Sequence, residues 1–195
     1  MSDSELMKPF GKDINLENGI IKDASNKWTR YLSDMKAMYQ DQDAVEEMLD
    51  SDDPLVYEVY EISVPEENGQ LIHCTSIIYP GKVGEEYYMT KGHYHERRDT
   101  AESYFCLSGE GYLLTQTEDG DAEALRMVPG RLVYIPPYWA HRTVNTGDEP
   151  FVFFGVYPGD AGHDYGSIEE VGFPQLVVEK DGETVVKKNP DYEVK

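Results

Sequence analysis

From Leu55 onward the chain is a succession of short stretches rich in Val, Ile, Tyr and Phe, closed by turn dipeptides such as Asn68-Gly69, Asp119-Gly120, Pro129-Gly130, Thr146-Gly147 and Asp181-Gly182. This pattern predicts strands over 55–64, 71–79, 86–90, 103–107, 111–116, 124–127, 132–135, 142–145, 151–157, 176–179 and 184–187. No helical segment separates them. Consecutive parallel strands need a long crossover, usually a helix, so βαβ units are excluded and an antiparallel sandwich or barrel remains.

The first 54 residues read differently. Residues 1–24 carry little pattern and are expected to wrap the surface as an arm. From Trp28, the apolar positions Tyr31, Leu32, Met35, Met38 and Tyr39 fall at helical spacing, with Ser25 or Asn26 as the N-cap. Ala44, Val45, Met48 and Leu49 suggest a second short helix, closed by Asp50-Ser51-Asp52-Asp53-Pro54. The expected organisation is an arm and helix over 1–54 packed on one barrel over 55–195, within the size of a single domain.

Charge narrows the partners. The 195 residues carry 17 Lys and Arg against 38 Asp and Glu, a formal charge of −21, which repels nucleic-acid phosphates and anionic membranes. Residues 81–145 stand apart, with ten acids against seven bases, five of the six arginines and three of the five histidines. The longest apolar-leaning stretch, 151–156, is far short of the about 20 residues a membrane helix needs. Cys74 and Cys106 cannot make a disulfide framework, and the N-terminus lacks an apolar signal-like stretch, so a cytoplasmic chain with reduced thiols is expected.

The densest chemistry is Gly92-His93-Tyr94-His95, then Glu102, then His141 within Pro136-Pro137-Tyr138-Trp139-Ala140-His141. Side chains two apart on a strand share a face, so His93 and His95 can reach one point inside a barrel. Three imidazoles and a carboxylate suit a borderline divalent ion such as Fe²⁺, Mn²⁺, Ni²⁺ or Zn²⁺. The competing reading makes His93 and His95 a surface pair and His141 a core histidine; the added glutamate and proline-flanked histidine weigh against it.

These residues resemble the cupin superfamily. Gly84, His93, His95, Glu102 and Gly109 or Gly111 match its first motif, and Gly130, Pro136, His141 and Asn145 its second. The six residues between His95 and Glu102 are more than is usual, and with segments 89–93, 134–142 and 157–166 they make the chain similar to the cupin-type glucose-6-phosphate isomerases known chiefly from archaea, over roughly residues 55–190.

The resemblance implies an all-β cupin barrel, a homodimer, and interconversion of glucose 6-phosphate and fructose 6-phosphate in glycolysis and gluconeogenesis. It implies one divalent ion per subunit, Fe²⁺ before the others, on His93, His95, Glu102 and His141. Thr90, Gly92, Tyr104, Tyr157 and His163 fall on substrate-contacting positions, although Thr90 also suits a strand, Gly92 a turn, and the two tyrosines a core.

Glu102, the only carboxylate of the ligand set, is the candidate catalytic base. A metal-bound carboxylate is a weakened base, so a hydride shift between C1 and C2 stays open beside proton transfer. Lys91, Arg97, Arg98 and Arg142 are candidates for an electropositive entrance, or for ion pairs with Glu96 and Asp99. A non-haem iron dioxygenase and a non-catalytic sugar-binding cupin are the alternative functions.

Overall fold

The computed structural model describes residues 7–192. Residues 1–6 of the expected arm and 193–195 of the expected barrel segment lie outside them. Strand β1 (Asn26–Tyr31) leads into a one-turn helix α1 (Leu32–Met35), a 3-10 turn and helix α2 (Gln42–Ser51). Eight further elements complete the barrel: β2 (Leu55–Ile62), β3 (Leu71–Ile78), β6 (Glu102–Ser108), β7 (Gly111–Gln116), β8 (Ala122–Met127), β9 (Leu132–Ile135), β10 (Ala140–Asn145) and β11 (Phe151–Pro158). The short strands β4 (Lys82–Val83) and β5 (Glu86–Tyr87) join the C-terminal β12 (Gln175–Lys180) and β13 (Glu183–Lys188), and helix α3 (Gly166–Val171) precedes that pair.

The largest sheet has the order β1-β2-β3-β11-β6-β9, facing a three-stranded β10-β7-β8 sheet, with β13-β12-β5-β4 alongside. All the paired strands are antiparallel. Val56, Ile78, Cys106, Leu113, Phe151 and Phe153 are buried in the core between the sheets. The described chain is an all-β antiparallel barrel with a small N-terminal helical part.

The N-terminal reading needs correcting. Trp28 does not begin a helix, and neither Ser25 nor Asn26 caps one: residues 26–31 form β1 against β2, with Asn26 opposite Glu61 and Arg30 opposite Tyr57. Trp28, Thr29 and Tyr31 are residue types that favour a pleated surface, and the edge of β2 supplies the partner. The helical spacing is genuine only from Leu32, where Leu32 and Met35 are fully buried. Helix α2 follows the expected pattern, with the Asp41 side chain accepting from Ala44 N at 3.0 Å. The described part of the arm lies on the large sheet, where Thr75 Oγ1 donates to Gly19 O and Ile21 is buried.

Two other differences matter for the site. The expected strand over 86–90 ends at Tyr87, and the chain continues to residue 95 beside β10 through isolated bridges at Met89–Val144 and His93–His141. Helix α3 was not anticipated; Asp164 accepts from Ser167 Oγ at 2.7 Å at its start, and Ile168 plugs into the core.

Candidate metal centre and active-site cavity

Period-two alternation aims one face of the large sheet into a cavity of about 330 Å³ at the barrel mouth. Tyr57, Val59 and Glu61 from β2 line it, as do Glu102 and Tyr104 from β6 and Tyr157 from β11. Gly155 makes room: a Cβ there would lie 3.0 Å from Cys74 Sγ and 3.1 Å from the Tyr104 ring. The opposite wall is the 88–95 segment running beside β10.

That segment contains a bulge. Thr90 N donates to Thr143 O at 2.9 Å, while His93 and His141 exchange backbone bonds of 3.2 and 3.0 Å. Lys91 and Gly92 therefore oppose the single residue Arg142, with Gly92 at φ +76°. A Cβ on Gly92 would meet the Phe173 ring at 2.7 Å and His141 O at 3.0 Å. Beyond the bulge, Tyr94 and Asp164 exchange backbone bonds of 3.1 and 2.8 Å, which lays the 161–164 segment over the site.

His93, His95, Glu102 and His141 converge, their candidate donor atoms all within 4.8 Å of one another. His95 Nε2 lies 3.2 Å and His141 Nε2 3.0 Å from the same Glu102 oxygen. The His141 contact lacks hydrogen-bond alignment, so His141 Nε2 and Nδ1 and His93 Nε2 are all buried without a partner. Unpaired buried nitrogens facing a carboxylate are costly without a cation between them, and this donor set fits a borderline divalent ion.

The tautomer of His95 follows from its neighbours. Thr100 Oγ1 donates to Arg97 O at 2.6 Å, so its single proton is committed, and His95 Nδ1 at 2.8 Å must be the donor to it. The Nε2 lone pair is thereby free to face the cluster. Burial, then His141, His163 and His95, push the His93 pKa well down, which keeps that imidazole neutral. Burial would raise the Glu102 carboxyl, but His141 and His95 outweigh it and hold it at about 2.

The expected substrate-contacting residues also meet here. Thr90 Oγ1 accepts from Thr143 N at 3.0 Å, leaving its own proton available. Tyr104 packs edge-on against His141 at 5.6 Å. His163 lies at the exposed rim, its ring 4.5 Å from His93 and stacked on Tyr165 at 5.8 Å, and desolvation on its inner side lowers its pKa. Tyr157 hydroxyl donates to Glu61 at 3.0 Å.

Arg97, Arg98 and Arg142 do not form an entrance. Arg97 pairs with Asp99 and Asp160, Arg98 with Glu118 and Asp164, and Arg142 is buried. Glu96 makes none of these pairs. Lys91 does line the cavity, paired with Glu169 at 3.1 Å, and so does Arg30. Sequence reasoning missed Arg30, Tyr57, Glu61 and Tyr165. The one available signal was the shared parity of Tyr57, Val59 and Glu61 on a predicted strand.

The fold and cluster define an antiparallel β-barrel with a three-histidine, one-carboxylate candidate centre at its mouth. A family model described as glucose-6-phosphate isomerase matches residues 29–195. The chain belongs to this glucose-6-phosphate isomerase family. It is 54% identical over 185 residues to the glucose-6-phosphate isomerase of Thermococcus litoralis, covering 95% of this chain and 97% of that one. Against the Pyrococcus horikoshii protein of the same description the identity is 50%, with the same coverage. The likeness thus reaches well into the first 54 residues, beyond the 55–190 expected. Among solved structures, an oxalate decarboxylase chain of Bacillus subtilis matches with a TM-score of 0.44 and 24% identity, over 55% of this chain and 27% of that one.

Proposed function

We propose that this chain interconverts glucose 6-phosphate and fructose 6-phosphate, with one divalent ion held by His93, His95, Glu102 and His141. The observation that carries the reading is the convergence of those four donors in a cavity of a chain belonging to this family. A divalent ion bound there supplies Lewis-acid polarisation and orientation of the two sugar oxygens. Fe²⁺ is our first assignment, with Mn²⁺, Ni²⁺ and Zn²⁺ compatible with the same donors.

The chain's own residues do the rest. The spare Thr90 proton and the Gly92 backbone, with His163, anchor the phosphate, while Tyr104 and Tyr157 wall the sugar. Lys91 and Arg30 supply positive charge to the dianion. Glu102 is the candidate base, weakened by the same contacts that hold its carboxyl low, whereas a hydride shift between C1 and C2 asks nothing of it.

The same reading places the enzyme in the cytoplasm, in glycolysis and gluconeogenesis, and as a homodimer. No helix among the described residues is long and apolar enough to cross a membrane. Phe105, Leu132 and Tyr134 are exposed on the outer face of the neighbouring strands β6 and β9, which suits burial against a second copy.

The test is a coupled assay with fructose 6-phosphate on chelator-stripped protein, repeated after adding each metal. Turnover should vanish and return; undiminished turnover in folded, metal-free protein, or none in metal-loaded protein, refutes the reading. Oxygen uptake instead of isomerisation would favour the dioxygenase, and sugar-phosphate binding without turnover the sugar-binding cupin. Glu102→Gln with solvent-deuterium incorporation separates the two routes: no exchange, with activity retained, removes Glu102 as the base.

A further inference from the structure

Arg142 is an unusual group for its position. It is 2% exposed, and its guanidinium donates through Nε (3.1 Å) and Nη2 (2.7 Å) to one acceptor, the Lys91 carbonyl, with a further contact from Nη2 to Met38 Sδ at 3.4 Å. The Phe173 ring lies 4.6 Å away. None of its hydrogen bonds or close ion pairs among the described residues is to a carboxylate. Burial lowers its pKa to about 10, with Glu86 the first of the groups opposing that shift, so it remains a cation at neutral pH.

A buried cation without an ionic partner is costly, and the strand offers an apolar alternative at no chemical difficulty. Its one consistent contact is with the bulge. No peptide in the described chain is cis, so the N–H of the Lys91–Gly92 peptide points opposite to the carbonyl that Arg142 holds. That direction leads away from Arg142, on the side where Thr90, Lys91 and Gly92 border the cavity. The Lys91 amide lies against the Tyr57 hydroxyl at the cavity wall, and no protein acceptor among the described residues takes the Gly92 amide proton. A free amide at a left-handed glycine, with no side chain in the way, can approach an anion closely.

We propose that Arg142 is a positioning residue for phosphate recognition: it fixes the Lys91–Gly92 bulge through the Lys91 carbonyl and places a buried positive charge, with no carboxylate in contact, behind the Gly92 amide that faces the phosphate. This rests on the sugar-phosphate reading and deepens it. Two donors on one carbonyl polarise the peptide, which strengthens its N–H as a donor. The charge sits in low dielectric, where solvent weakens its pull on a dianion less than it would at the surface. Arg97 and Arg98 are engaged by their own acids, whereas Arg142 contacts no carboxylate and adds its charge from behind to that of Lys91.

The test uses the full-length, metal-loaded protein with inorganic phosphate as the probe, measured by calorimetry. Arg142→Met keeps length and apolar packing without charge. It should weaken phosphate binding about 30-fold, which is roughly 2 kcal/mol, while metal content stays at the wild-type level. Arg142→Lys restores the charge with a single donor and should recover part of that loss, a rescue that a merely space-filling role would not give. Should the Met variant fail to fold, the Lys variant decides: about 3–10-fold weaker binding is expected, and wild-type affinity overturns the proposal. Wild-type affinity in a folded Met variant, or a loss matched by loss of metal, overturns it equally. Phosphate titration does not depend on turnover. A wild-type protein that binds phosphate through Arg142 yet never isomerises would therefore sink the isomerase reading and leave this one standing.

Discussion

Replacing Thr100 by Val tests whether the metal cluster is set from behind. The change removes one hydroxyl at nearly constant volume from a residue 7% exposed. That hydroxyl takes the His95 Nδ1 proton at 2.8 Å and gives its own to Arg97 O at 2.6 Å. Without it, Arg97 O keeps the Thr100 backbone N–H at 3.2 Å, but His95 Nδ1 is left with only the Thr100 carbonyl at 3.4 Å. An under-satisfied buried donor costs about 1–3 kcal/mol, so the metal-free variant should unfold at correspondingly lower denaturant. The larger effect falls on the metal. Loss of the partner that fixes a ligating imidazole typically lowers metal affinity 10–100-fold, because ring orientation and tautomer are no longer set. Competition against a chelator of known affinity, on protein shown to be folded by circular dichroism, measures it. Thr100→Ser, which restores the hydroxyl, should recover most of the affinity. A Val variant that holds metal as tightly as wild type would refute the argument that Thr100 sets the His95 tautomer.

Gly92→Ala should destabilise the fold by about 2–4 kcal/mol, from the left-handed backbone and the overpacking against Phe173 together; a thermal melt with unchanged midpoint would show that the bulge is not strained by a side chain. In metal-free protein, His93 has a folded pKa below its usual 6.5, so its contribution to stability is present above pH 6.5 and lost as pH falls below it. Glu102 adds a second such loss below about 4.5, toward its folded value of about 2; in chelated protein, an unfolding midpoint flat from about pH 7.5 to 4.5 contradicts the first, and one with no further fall below about 4.5 contradicts the second. Tyr157→Phe and Glu61→Ala should each lower kcat/KM, and combined they should cost little more than either alone, since both remove one hydrogen bond. Strictly additive losses in that double-mutant cycle would mean that Glu61 does not act through Tyr157.

The barrel was legible because its strands obey a two-residue period and its turns carry Gly at defined places, and both signals are local. The four candidate ligands were legible because two histidines two apart, a carboxylate and a proline-flanked histidine have few other reasons to coincide. Arg142 was misplaced for the opposite reason. It follows His141 directly, and sequence adjacency suggested spatial adjacency, yet neighbouring strand residues point to opposite faces. Its side chain therefore lies behind the wall that His141 faces. Glu61 was missed because β2 carries polar groups on both faces, with Glu58 and Glu61 at opposite parity, so alternation alone did not say which faced the cavity. The segment 26–31 was read as helix because its strand character depends on pairing with β2, a tertiary contact that no local window contains.

That same pairing makes the N-terminal segment part of the site. Trp28 and Arg30 line the cavity from β1, and Asn26 Nδ2 donates to Glu61 at 3.1 Å on the carboxylate oxygen that Tyr157 does not use. Everything these residues contribute depends on the register with β2. A slip of one residue would turn Trp28 and Arg30 to the outer face and withdraw Asn26 from Glu61 at once. Three features oppose such a slip. Leu32 and Met35 anchor the strand's end in the core, Lys27 pairs with Glu58 across the strands, and the irregularity between Arg30 and Tyr31 fixes where the ladder ends. Burial of two side chains in α1 therefore reaches the cavity through strand register. The orientation of Tyr157, on the far side of the sheet from β1, is linked to that register through a single buried carboxylate.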